Sequence, residues 1–322
     1  MQSTPSHPAF RLGMADSWYV VGFSDELESG QIHSVSYFGE KLLLFRDDAG
    51  EACLIDSFCS HLGANLSSEA GGRLEKGLLV CPFHSWSWNG KGRCVAIPYA
   101  DRIPETAQIR SYPVREHGGV IWAWYGAEGG EPAFDLPIRD EMKSDLLHDR
   151  WVKHDWTLRT HTQELFENGI DWSHFQFVHG FGPPDEKAVQ FDEHTFNWSV
   201  TTHVEGERIT IHNTVVGLGF AYLRNRDETL MIFGGTPIDC ETVHVRMAVA
   251  HCGESCSAEE SQALELYAKG QAATLSPDFP IWENKLYLER PTLCDADGPL
   301  PTYRNWARQF YSKDRKTEGV SG

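Results

Sequence analysis

Two short motifs constrain this chain more than any other feature: Cys59-Ser60-His61 and, nineteen residues further on, Cys81-Pro82-Phe83-His84. Each supplies one thiolate and one imidazole, unlike the Cys-x2-Cys and His-x3-5-His pairs of most structural zinc sites. Soft thiolates together with borderline imidazoles suit zinc or an iron-sulfur centre. A 2Fe-2S cluster with two Cys on one iron and two His on the other needs one of each from two facing loops, which this spacing offers. A single zinc ion held by all four side chains is the alternative.

The surrounding sequence has the texture of an antiparallel β domain. Residues 18–23, 33–38, 41–45, 52–55, 78–80, 85–88 and 120–125 form short apolar or alternating runs, separated by turns such as Gly39-Glu40 and Asp47-Asp48-Ala49-Gly50. Residues 17–126 therefore read as one all-β domain carrying both loops at its tip. The Gly-, Glu- and Pro-rich stretch 126–137 reads as a boundary, and 127–322 as a second domain. There, runs at 188–204, 208–216, 219–226, 229–236 and 242–251 predict a larger antiparallel sheet. Ser257 before Ala258-Glu259-Glu260 predicts a capped helix start leading to Leu264, Leu266, Tyr267 and Ala268. Residues 278–290 and 303–311 read as two further helices.

A formal net charge of −18 over 322 residues argues against a nucleic-acid binder or a polybasic membrane-surface protein. No run approaches the roughly 20 apolar residues of a membrane helix. Residues 1–17 lack the basic start and apolar run of a secretory signal. Eight scattered cysteines do not resemble a disulfide framework. Cys53, Cys94, Cys240, Cys252, Cys256 and Cys294 read as structural residues or free thiols, with a reducing cytoplasm as the expected location.

Cys81-Pro82-Phe83-His84-Ser85-Trp86-Ser87-Trp88, followed by Gly90-Lys91-Gly92-Arg93-Cys94 and Ile97-Pro98-Tyr99-Ala100, resembles the Rieske domain of Rieske non-heme iron oxygenases. The likeness runs from about residue 18 to 311 and is strongest to the oxygenase components of 3-ketosteroid 9α-hydroxylase and related steroid-modifying enzymes. It implies an α+β chain: an N-terminal all-β Rieske domain, then a catalytic domain whose large antiparallel sheet is flanked by helices in the helix-grip manner. It also implies Cys59, His61, Cys81 and His84 as cluster ligands. The segment between His61 and Cys81 is longer than the family pattern, with Glu69-Ala70-Gly71-Gly72 the expected insertion. Such Gly-rich surface loops accept extra residues cheaply. Trp86 and Trp88 are expected to form a dry shell around the imidazoles, or, for Trp88 especially, ordinary core.

The second informative stretch is residues 167–179. Asn168, Asp171 and His174 recur every three residues and would share one face of a helix. His174 and His179 are about 140° apart on an ideal helix, so the helix is expected to kink or end between them if both serve one metal. A non-heme Fe(II) oxygenase needs two His and one carboxylate on one face of the iron. The family pattern Asp-x2-His-x4-His matches at Asp171, His174 and His179. By resemblance these two His are iron ligands, and Asp278, opening a late helix with Pro280 in its first turn, is the third. Glu283, Asp295 and Asp297 are the rivals. Asp171 is implied to bridge a cluster-ligating His of one subunit to His174 of its neighbour within a head-to-tail homotrimer. Asn168 is either catalytic or a polar neighbour.

The implied reaction puts one atom of O2 into a C–H bond and reduces the other to water, with desaturation or oxidative demethylation as alternatives. There is no Gly-x-Gly-x2-Gly after a strand and no plant-type ferredoxin Cys-x4-Cys-x2-Cys, so electrons from NAD(P)H are expected through a separate reductase. Val215, Val216, Leu218, Phe220, Tyr222, Leu230, Ile232 and Phe233 could line a pocket for a bulky apolar substrate or form an ordinary sheet core. A Rieske electron carrier without catalytic iron and a zinc-stabilised binding module remain as readings from other classes.

Overall fold

The computed structural model describes residues 12–143, 147, 150–224, 229–253 and 256–311. The expected strand end at Arg226 and most of the first 17 residues lie outside the described residues. The chain divides into two compact units: Val21–Tyr125 with Gly129–Asp149, and Met1–Val20 with Gly126–Glu128 and Arg150–Gly322.

Strand β1 (Ser17–Phe23) leads from the second unit into the first. There follow β2 (Ile32–Tyr37), β3 (Glu40–Arg46), β4 (Ala52–Asp56), β5 (Arg73–Glu75), β6 (Leu78–Val80), β7 (Ser87–Trp88), β8 (Cys94–Ala96), β9 (Ser111–Tyr112), β10 (Val114–His117) and β11 (Val120–Tyr125). Two antiparallel sheets, ordered β2-β3-β4-β9 and β5-β6-β7-β8, carry most of this unit. The turn between β3 and β4 shows why Asp and Gly punctuate the runs. Asp47 Oδ1 accepts from the backbone N–H of Ala49 and of Glu51, both at 3.0 Å, and Gly50 takes a left-handed φ of 84°. Leu43, Phe45, Ile55, Leu66, Leu79 and Trp88 are fully buried in one core that also contains Cys59 and Cys81, so the metal loops are anchored in packed apolar matter.

The second unit is built on a seven-stranded antiparallel sheet. Its strands are β12 (Val152–Leu158), β13 (Glu186–Phe191), β14 (Thr195–Val204), β15 (Glu207–Val216), β16 (Phe220–Arg224), β17 (Thr229–Pro237) and β18 (Val243–His251), ordered β12-β18-β17-β16-β15-β14-β13. The single run expected at 188–204 is in fact a hairpin. The chain reverses at Asp192, whose backbone N–H donates to Thr195 O, and β13 pairs back on β14.

The helices are α1 (Thr162–Glu167), α2 (His174–Phe177), α3 (Ala258–Leu275), α4 (Phe279–Asn284) and α5 (Leu300–Ala307). Ser257 caps α3 as expected: its side chain accepts from Glu260 N, and Glu260 accepts from Ser257 N. Leu264 and Ala268 pack that helix on Met231, Met247 and Val249 of the sheet, while Leu266 faces solvent. The helix expected over 278–290 stops at Asn284, because Lys285 adopts extended backbone. The family's α+β architecture, a β-rich N-terminal part followed by a large antiparallel sheet with few helices, is present.

Candidate metal centres and substrate cavity

The two cluster loops are tight turns. Gly63 N–H donates to Cys59 O and Cys59 N–H to Ala64 O; Ser85 N–H donates to Cys81 O and Cys81 N–H to Trp86 O. Both thiols are buried, and burial pushes the Cys59 thiol up to about 11, with the adjacent Cys81 thiol adding to that. The imidazoles form the other half of the site: the His61 and His84 rings lie 4.8 Å apart between centroids. Trp86 stacks on His61 at 4.5 Å and ties its indole N–H to the Tyr99 hydroxyl at 2.8 Å. Trp88 is fully buried core, as one of the two readings had it.

These residues fit an iron-sulfur cluster. His84 Nδ1 is buried and has no hydrogen-bond partner among the described residues, the state of a nitrogen reserved for a metal. Sulfur sits with sulfur and imidazole with imidazole, as two irons with different ligands require. One zinc ion would draw all four donors together. Among the described residues, however, the only three or more His, Cys, Asp or Glu side chains whose ligand atoms lie within 4.8 Å of one another are His174, His179 and Asp278. Residues 69–72, expected as an insertion, overlap a 3-10 turn over Ser68–Ala70 closed by Gly71, where an added Cβ would lie 3.4 Å from Pro82 of the cluster loop.

That second group is assembled by a broken helix. α1 gives way to a 3-10 turn over Asn168–Ile170, and Asp171 (φ −80°, ψ 89°) leaves the helix before α2 begins at His174. The expected continuous helical face through Asn168, Asp171 and His174 is therefore absent. The break frees the Asp171 carbonyl to accept from His174 Nδ1, fixing the tautomer that leaves Nε2 for a metal. Burial pushes the His174 imidazolium down, opposed by that carbonyl and by Asp278, which favours the neutral ring that metals take. α2 ends at Phe177 and Gly180 takes a left-handed φ of 70°, so the chain curls and returns His179 to His174, ring centroids 5.0 Å apart.

Asp278 arrives from the junction of α3 and α4, buried, with Oδ2 3.3 Å from His179 Nε2. Asn168 Nδ2 donates to the same Oδ2 at 3.2 Å and lies 3.0 Å from His174 Nε2. The rivals are elsewhere: Glu283 accepts from Arg159 N, Asp297 accepts from Cys294 N, and Asp295 is exposed. Two His and one carboxylate at this spacing, with open space beside them, suit a non-heme Fe(II). The Asp171 carboxylate makes no hydrogen bond or ion pair among the described residues. Behind the site, buried Glu167 holds Arg304 through two 2.7 Å contacts, locking α1 to α5.

Asn168, His174, His179 and Asp278 line a cavity of about 750 Å³, large enough for a ligand of several fused rings. Of the apolar residues expected there, Val215 and Phe233 do line it. Val216, Phe220, Tyr222, Leu230 and Ile232 alternate with cavity-lining neighbours and are buried away from the cavity, and Leu218 is buried in the turn before β16. Trp198, Ala221, Leu223, Met231 and Asn213, which no motif marks, also line the cavity. The alternation Ile209-x-Ile211-x-Asn213-x-Val215 was the available signal.

Residues 17–113 match the Rieske [2Fe-2S] domain, and residues 123–311 match the 3-ketosteroid 9α-hydroxylase C-terminal domain. A 3-ketosteroid-9-alpha-monooxygenase oxygenase component of Rhodococcus rhodochrous is 30% identical, over 92% of this chain and 81% of that one. A cholesterol 7-desaturase of Ciona intestinalis is 27% identical over 93% of this chain and 69% of its own. The caffeine-bound NdmA of Pseudomonas putida CBB5 has the same fold, with a TM-score of 0.72 at 20% identity over 90% of this chain and 89% of that one. Dicamba monooxygenase bound to dicamba also shares it, with a TM-score of 0.64 at 18% identity over 92% and 97%.

Proposed function

The chain belongs to the 3-ketosteroid 9α-hydroxylase family of Rieske non-heme iron oxygenases, and from that premise we propose that it is the terminal oxygenase that hydroxylates a ring C–H bond of a steroid-like substrate. The observation that carries this reading is the placing of His174, His179 and Asp278 on the wall of a 750 Å³ cavity that also presents Phe166, Phe175, Val215, Phe233 and Met247. When bound, the cluster passes single electrons and the mononuclear iron activates O2, so that substrate, O2, two electrons and two protons give the alcohol and water.

The chain's own residues supply position and exclusion. Asp171 O holds the Nδ1 proton of His174, and Asn168 holds the Asp278 carboxylate. Phe166, Phe175, Phe233 and Met247 line the cavity with carbon and keep water from the C–H bond to be attacked. Electrons come from a separate reductase, since the sequence offers no nucleotide-binding fingerprint. We place the Asp171 carboxylate as the link to His61 or His84 of a neighbouring subunit in a homotrimer. Its lack of a partner among the described residues supports this, as do the exposed Leu62 and Phe83 beside those imidazoles. No helix of the described chain is long and apolar enough to cross a membrane. A cytoplasmic location rests on the eight free cysteines, of which Cys240 and Cys294 are exposed.

The likeness to a cholesterol 7-desaturase supports desaturation as the second reading. Incubation with steroids, a generic ferredoxin-reductase pair and NADH, with products identified by mass spectrometry, tests both. A hydroxysteroid supports the first reading, and a product lighter by two hydrogens replaces it with the second.

A further inference from the structure

The cavity contains a polar group that the protein does not use. Asn213 lies on β15, and its two strand neighbours in register are Trp198 on β14 and Leu223 on β16. Leu223 in turn faces Met231 on β17, and the next cavity-facing rung is Val215, Ala221 and Phe233. Asn213 is the one amide set into these two apolar rungs.

Only 9% of Asn213 is exposed, and it lines the cavity. Its Oδ1 is sealed from solvent with no hydrogen-bond partner among the described residues, and its Nδ2 makes no hydrogen bond to the protein either. The sealed, unpaired oxygen costs stability, so packing does not account for the amide, and the N–H groups, which are not sealed, are the atoms left to meet a ligand. A Leu of similar size would suit the same rung better.

We propose that Asn213 is the polar anchor of the substrate cavity: its amide N–H donates to an oxygen substituent, ketone or hydroxyl, on an otherwise apolar polycyclic substrate. This rests on the proposed steroid-like substrate and adds what these two apolar rungs alone do not give, a fixed orientation. Carbon walls grip a flat hydrocarbon in several registers, and one directional bond selects among them. Asn213 thereby decides which ring carbon is presented to His174, His179 and Asp278.

The test is equilibrium dialysis on the metal-loaded protein without reductase, using a steroid ketone, the corresponding alcohol and the parent hydrocarbon. 2-Naphthol and naphthalene serve as a second pair. In Asn213→Leu both oxygenated steroids should lose about tenfold in affinity relative to the hydrocarbon, the worth of one hydrogen bond near 1.4 kcal/mol. The larger of the two losses identifies the preferred group. The ligand-free Tm of Asn213→Leu should equal or exceed that of the wild type, because an unpartnered amide is removed. Equal losses for ketone, alcohol and hydrocarbon overturn the anchor and leave the steroid reading standing. A lower Tm or a variant that does not fold shows a structural amide and also overturns it. If no steroid binds but naphthol loses its advantage over naphthalene in the variant, the anchor stands and the steroid reading falls. Failure of all five probes to bind the wild type overturns both.

Discussion

Asn168 Nδ2 donates to Asp278 Oδ2 at 3.2 Å across 110 residues of chain, and the same nitrogen lies 3.0 Å from His174 Nε2. One amide thus sets the distance between a histidine on the broken helix and a carboxylate at the junction of α3 and α4. Asn168→Ala should weaken mononuclear iron binding by about 10–100-fold, the usual effect of losing a residue that orients a ligand. Iron retained against a graded chelator reads this directly, with the visible spectrum of the cluster unchanged. Wild-type retention would mean that Asp278 needs no such support.

Asp278→Ala removes the only carboxylate among the described residues that is grouped with His174 and His179 at metal-binding distance. The expected protein is still coloured and still contains acid-labile sulfide. Its iron falls from about three to about two per chain, the content of the cluster alone. Unchanged iron would assign the third ligand to another group.

Much of this was legible in the sequence, and the exceptions share a cause. Cys59, His61, Cys81 and His84 declare themselves because residue type and spacing both carry the chemistry. The seven-stranded sheet was legible as alternating runs, but which alternate set faces the cavity was not. Val215 and Val216 are equally apolar, and only the register assigns one to each face. The break at Asp171 escaped because a three-residue repeat continues through it, while the tertiary demand for a carbonyl at His174 Nδ1 leaves no mark on composition. The helix read over 278–290 stops early for a similar reason: beyond Asn284, the Lys285 side chain is drawn to the buried Glu164 carboxylate.

Asp171→Ala separates two roles. The backbone carbonyl that holds His174 survives the substitution, so both metal centres should remain filled. Steady-state turnover should nearly vanish if the carboxylate links subunits. Normal turnover at full metal content would remove Asp171 from the electron path.

Arg304→Ala would strand the buried Glu167 carboxylate, which makes two 2.7 Å contacts to that guanidinium. Breaking a buried pair of this kind costs about 3–5 kcal/mol. A chemical denaturation curve should show that loss, and a change below about 1 kcal/mol would mean that the pair is screened by water.

Gly169→Ala tests the close approach of the broken helix to the sheet. A Cβ there would lie 2.7 Å from the Trp198 indole, which packs on Trp172 and Phe175 and cannot yield without moving the cavity wall. Overpacking of this kind costs about 1–3 kcal/mol, and iron content should fall with it as Asn168 is displaced. Unaltered stability and iron content would show that the indole has room to move.

The most direct measurement is mass spectrometry of a steroid incubated with the metal-loaded protein, a ferredoxin-reductase pair, NADH and isotopically labelled O2. The expected result is a product that has gained one labelled oxygen as a ring hydroxyl. A steroid recovered unchanged, or one oxygenated only from water, by protein shown to hold both metal centres would contradict it.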